Sequence, residues 1–171
     1  MKKILVYILL LILFVSCANN QEKNKTVVDK KGDKILIGYS DRKGLTSEPF
    51  NIWFNSEYDK YIVDTLSVNS ISKEALKKIK ITIIMGTWCG DSRREVPRFY
   101  KIIDNLNFDE NKITVINVNR KMEAKGIDVQ SLEISRIPTF IFCINNKELG
   151  RIIETPKKSL EKDLMGIIPI N

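Results

Sequence analysis

The chain has no histidine anywhere in its 171 residues. That removes Ser-His-Asp and Cys-His catalysis, and with them histidine-ligated zinc and haem. Cysteine is scarce too, with three residues, Cys17, Cys89 and Cys143, which are too few for a structural zinc site. A chain of this length buries most of its apolar surface in one domain without disulfide staples. Also missing is any basic tract interleaved with aromatics. Twenty-eight Lys and Arg against 21 Asp and Glu give a formal charge of +7, but the excess is scattered: Lys30-Lys31, Lys77-Lys78 and Lys157-Lys158 all sit near acids. Such charge reads as solvated faces, so nucleic acid is not an expected partner. No metal and no cofactor is expected either.

What is present at the front is "MKKILVYILLLILFVSC". Two lysines precede an apolar run from Ile4 to Val15 that is too short for a comfortable membrane span, and a small residue precedes Cys17. This is the layout of an export signal over residues 1–16. The ending "FVSC" resembles the bacterial lipoprotein signal, with Phe14 where leucine is usual, and that resemblance implies lipidation of Cys17. The alternative is an uncleaved anchor helix with an incidental Cys17. Both place the remainder on a membrane outside the cytoplasm, in the cell envelope. Residues 1–16 hold no acid, so loss of their two lysines lowers the charge to +5.

Residues 17–34, polar and poor in large apolar side chains, read as a flexible tether. The domain then runs over 35–171. "KILIGYS" predicts a strand and "DRKG" a turn. "TSEPFNIWFNSEYDKYI" predicts a helix whose aromatic stripe (Phe50, Trp53, Phe54, Tyr58, Tyr61) packs on a core, and "SKEALKKIK" a short helix capped by Ser72. "ITIIM", Ile81 to Met85, has the apolar β-branched run of a strand covered on both faces. A helix from Ser92 to about Asn105 follows, interrupted at Pro97. A strand from Ile113 to Asn119 completes a parallel unit. Then come a helix at about Val129 to Ile134, a strand opened by Pro138, a turn at "NNKE", a strand "LGRIIE", and a closing helix beginning at Thr155 with Pro156 in its first turn.

That order, with "WCGDS" at the first core helix and "IPTF" opening the third strand, resembles the thioredoxin superfamily. Glu95-Val96-Pro97, the front extension over 35–80 and the exported N-terminus point to its TlpA-like extracytoplasmic branch. The resemblance implies an α/β three-layer sandwich: a central mixed sheet with helices on both faces over 81–171, preceded by the extension. It implies a cis Ile137-Pro138 bond lying against the active cysteine. It also implies a substrate groove made by Trp88, Gly90, Asp91, Ile137 and Pro138. Two departures matter. Ser92 stands where the family has its second cysteine, giving a monothiol Cys-x-x-Ser site. Ile83 stands where thioredoxins proper bury a carboxylate.

A cysteine at a helix start has unpaired amide donors and the positive end of the helix dipole beside it, which favours the thiolate that attacks disulfides. Cys89 is expected there. Arg93 and Arg94 add to that effect, whereas Asp91 and Glu95 oppose it. Ser92 can turn its hydroxyl toward the sulfur as a donor. Glu95 either assists proton transfer or is an exposed residue offsetting the arginines. The plain alternative for Cys89 is an inert buried thiol. Cys143 lies five residues beyond Pro138, about 16 Å along a strand at roughly 3.3 Å per residue. A disulfide needs Cα atoms within about 7 Å, so Cys143 is expected to be a core residue out of reach of Cys89.

These readings give a monothiol thiol–disulfide exchange protein of the bacterial envelope. Its partners are envelope proteins with cysteines or disulfides, or a small thiol, since release must come from outside the chain. The competing readings are a non-catalytic binding module on the same fold and, less supported, a peroxide-reducing enzyme without the "PxxxTxxC" pattern.

Overall fold

The computed structural model describes residues 22–169. Cys17 and the apolar run before it lie outside the described residues. Among the described residues no helix is long and apolar enough to cross a membrane.

A five-stranded mixed sheet forms the centre. Its strands are β3 (Gly38–Ser40), β4 (Ile79–Met85), β5 (Ile113–Asn117), β6 (Thr139–Ile144) and β7 (Lys147–Ile153), in the order β3-β5-β4-β6-β7. β4 and β5 are parallel, while β3–β5, β4–β6 and β6–β7 are antiparallel. The apolar run in β4 is buried from both sides because it lies mid-sheet, as its composition predicts.

Alternate residues of the sheet serve two cores. Ile79, Ile81, Ile83, Met85, Val115, Phe140, Phe142 and Ile152 face the larger one. It is covered by α2 (Asn51–Lys60), α5 (Gly90–Asn105) and α6 (Leu160–Ile167). α5 contributes Val96, Phe99, Tyr100, Ile102 and Ile103, the helical stripe expected, and runs on through Pro97. The α2 stripe packs inward as anticipated, with Phe54 5.7 Å from the Tyr100 ring. Phe99 has no exposure and sits 4.6 Å from the Phe140 ring and 6.1 Å from that of Phe142. Phe99→Ala should therefore cost about 3–5 kcal/mol. In urea unfolding the midpoint falls at constant slope; an unchanged midpoint would contradict this packing.

Ile84, Ile116, Val118, Ala124, Val129, Ile137 and Ile141 form the second, smaller core. The helix expected at Val129 to Ile134 is here a single 3-10 turn, Gln130–Leu132, ended by Glu133 in the left-handed region (φ 51°). This face is covered by the loop from 119 to 136, pinned by Arg151, which donates to the Leu132 carbonyl at 3.0 Å.

The extension departs most from expectation. Residues 22–34 are not a loose tether as far as they are described: β1 (Thr26–Val28) pairs antiparallel with β2 (Lys34–Leu36). "KILIGYS" is two strands, since Gly38 at φ +78° breaks the run and sends β3 into the main sheet. "DRKG" is a short helix, α1 (Arg42–Leu45), with Asp41 accepting from Gly44 N–H. α3 (Thr65–Asn69) and α4 (Lys73–Leu76) complete the extension, and Ser72 caps α4 as expected. The cap of the closing helix is Ser159, not Thr155. Asp163 reaches back to the amides of Lys157 and Lys158, at 2.6 and 3.2 Å, and holds 155–158 as a turn before the helix.

Candidate functional site

β4 runs straight into the loop "GTWC" and then α5. Cys89 is the N-cap of α5, in extended conformation (φ −88°, ψ 128°), and its side chain makes no capping bond. Its backbone is fixed on both sides: its N–H donates to the Gly86 carbonyl at 2.9 Å and its carbonyl accepts from Arg93 N–H at 3.0 Å. The sulfur is free, partly exposed, and beside the positive end of the helix. Its thiol donates to the Ile137 carbonyl at 3.5 Å. The Ile137-Pro138 bond is cis. Residues 48 apart are thus brought together as the family resemblance implies.

Ser92 is fully buried, and its Oγ accepts from Gly86 N–H at 3.3 Å. This ties the first turn of α5 to the end of β4, whereas the hydrogen-bond partner of the Cys89 sulfur is the Ile137 carbonyl and not the Ser92 hydroxyl expected from sequence. Beneath, Ile83 is fully buried with no carboxylate in its place. Gly90 is exposed beside the sulfur, and a Cβ there would meet nothing within 4 Å. Asp91 is partly exposed and is bound by Arg94 at 2.7 Å.

Glu95 is not an exposed helix residue: it is 4% exposed and bound by Arg94 Nε at 2.6 Å, with Arg98 at 3.8 Å. Arg94 therefore spans Glu95 and Asp91, and their carboxylates, Glu95 foremost, hold its guanidinium protonated. The charge expected to act on the sulfur from Arg94 is in this way balanced locally. Arg93 donates Nε to the Thr87 carbonyl at 2.6 Å, closing the loop over the helix start.

Thr87 is fully buried, and its Oγ1 accepts from Leu36 N–H at 3.0 Å, binding the front extension to the loop that carries the cysteine. Thr87→Val keeps the shape and orphans that buried amide, at a cost of about 1–3 kcal/mol. Hydrogen exchange of the Leu36 amide should accelerate accordingly. Retained protection would show that the amide does not depend on Thr87.

Cys143 sits on β6 opposite Lys80 of β4 and Glu148 of β7. It is partly rather than fully buried, and burial, aided by the Glu148 charge, pushes its thiol above the usual range. Four residues of strand separate it from Thr139, about 13 Å. It cannot bridge to a sulfur seated at Ile137.

Sequence reasoning missed the surroundings of Trp88. Its Nε1 donates to the Val118 carbonyl at 2.8 Å, and the Arg120 guanidinium lies 5.0 Å over its ring. Nothing local in "NVNRKME" marks Arg120, because its partners are far away in sequence.

Residues 53–165 match the thioredoxin family model, described as "Thioredoxin". This chain belongs to the thioredoxin family. Family membership supports a thiol–disulfide redox or binding role in general terms. The chain is 26% identical over 89 residues to a thioredoxin-like protein of Acanthamoeba polyphaga mimivirus, the match covering 52% of this chain and 62% of that one. It thus spans under two thirds of the viral relative. A crystal structure of a Pseudomonas aeruginosa protein of unknown function superposes at TM-score 0.40 with 14% identity, covering 68% of this chain and 69% of that chain.

Proposed function

We propose that this protein is a monothiol thiol–disulfide exchange protein of a bacterial cell envelope, TlpA-like and held to a membrane through lipid on Cys17. One observation carries the chemical part. Cys89 stands at the N-cap of α5 against Ile137-Pro138, and Ser92, three residues on, has no sulfur to offer. The Cys89 thiolate attacks one sulfur of a protein or mixed disulfide. A Cys89–substrate bond forms, the substrate's S–S bond breaks, and its other sulfur leaves as thiolate. A second thiol, from the substrate or a small molecule, then attacks the mixed disulfide and returns Cys89 as thiolate. Trp88, Gly90, Asp91, Ile137 and Pro138 wall the groove in which the substrate lies. Ser92 fixes the helix start, and Glu95 is the buried carboxylate nearest in sequence for proton transfer. The envelope address rests on the export-signal pattern of residues 1–16 and on "FVSC", both outside the described residues.

The test is turnover. The full chain is incubated with a peptide disulfide and varied external thiol. The expected result is exchange whose rate rises with the external thiol. Partner binding without exchange would instead favour a binding module that holds envelope proteins in the same groove.

A further inference from the structure

Asp29 and Asp33 lie in the turn between β1 and β2, a segment that reads as tether in the sequence. Asp29 Oδ1 builds the turn by accepting from the amides of Lys31 and Asp33, at 2.8 and 3.0 Å. Asp29 Oδ2 accepts from Arg120 Nε at 2.6 Å, and Asp33 accepts from Arg120 Nη2 at 2.6 Å. The Arg120 bond is the foremost cause holding the Asp29 carboxyl below its usual range. Two carboxylates 87 and 91 residues away thus orient one guanidinium plane. That guanidinium sits over Trp88. The indole is held elsewhere by the Val118 carbonyl and lies against Gly86, where a Cβ would come within 2.6 Å of Trp88 Nε1 and 3.0 Å of Ile137 Cδ1. Trp88 therefore links the cysteine loop, the Ile137 side of the groove and, through Arg120, the front hairpin.

We propose that Arg120 is a positioning residue: gripped by Asp29 and Asp33, it holds Trp88 as a fixed wall of the groove, so the front hairpin takes part in choosing extended peptide substrates. This rests on the exchange reading for Cys89. Arginine suits the role because its planar fork is oriented by two carboxylates while its face stacks on the ring, which a lysine ammonium cannot reproduce. A small disulfide that reaches only the sulfur makes little use of this wall, whereas an extended peptide disulfide lies along it.

The test uses the full chain carrying Trp53→Phe, so that emission reports Trp88 alone, with Arg120→Ala, Arg120→Lys and the pair Asp29→Asn/Asp33→Asn. Asparagine keeps the oxygen that builds the turn and removes the charge that grips Arg120. Acrylamide quenching of Trp88 should increase in all three variants. The rate with an extended peptide disulfide should fall about fivefold more than the rate with hydroxyethyl disulfide, through a weaker apparent KM. Arg120→Lys should not restore either signal. Unchanged quenching, equal losses for the two disulfides, or full rescue by lysine would each overturn the proposal. If the protein with Arg120 intact reacts with neither disulfide, the exchange reading fails instead, and quenching with and without bound reduced peptide still decides whether Arg120 sets the indole.

Discussion

Cys89→Ser should abolish the proposed disulfide exchange and leave the fold intact. The sulfur makes one side-chain hydrogen bond, 3.5 Å long, to the Ile137 carbonyl, and is partly exposed. Its replacement should therefore change stability by less than about 0.5 kcal/mol. Among the described residues activity has no second route, because Cys143 lies about 13 Å down β6 from Thr139 and burial pushes its thiol above the usual range, toward the less reactive protonated form. Exchange should fall to the uncatalysed background with an unchanged melting curve. Alkylation of the intact protein near neutral pH should label Cys89 ahead of Cys143. Residual exchange in Cys89→Ser, or preferential labelling of Cys143, would put the reactive sulfur elsewhere.

Ser92→Cys should convert the site from one needing outside help to one that releases its own adduct. Positions three apart on a helix have Cα atoms about 5 Å apart, within the Cα range a disulfide spans. The buried Ser92 side chain already turns toward the end of β4. Sulfur is a poor acceptor for Gly86 N–H, so the change should cost about 1 kcal/mol of stability. In return, release becomes intramolecular. The lifetime of a Cys89 mixed disulfide without added thiol should shorten by at least about a thousandfold. Stopped-flow release of a fluorescent peptide measures this. An unchanged lifetime would mean that the two positions do not meet.

The parts of the fold that could be read from the sequence are those set by local composition. β4, β5 and β6 announce themselves by apolar runs and α5 by its stripe from Val96 to Ile103, while the meeting of Cys89 with the cis Ile137-Pro138 bond follows from the family resemblance carried by "WCGD" and "IPTF". What could not be read was set by distant partners. Asp29, Asp33 and Arg120 look like solvated charges until the hairpin folds back over 87 residues or more to meet the loop after β5. Thr155-Pro156 has the composition of a helix start, but Asp163 satisfies the amides before Ser159 and moves the cap four residues on. The segment at Val129 to Ile134 has apolar spacing enough for a helix. A left-handed Glu133 ends the turn, and its side chains fill the smaller core as a loop. For Glu95 the sequence leaves both a proton-transfer role and an exposed one open, because it does not reveal that Arg94 and Arg98 both close over it.

The central claim is that a reaction begun at Cys89 cannot be completed by another sulfur among the described residues. Intact-mass measurement after one equivalent of a one-cysteine peptide activated as its 2-thiopyridyl disulfide, whose leaving thiopyridone does not attack disulfides, with no other thiol present, tests this most directly. The account predicts a protein carrying one peptide on Cys89 that persists until a thiol is added. Loss of the adduct with formation of a Cys89–Cys143 disulfide would contradict it.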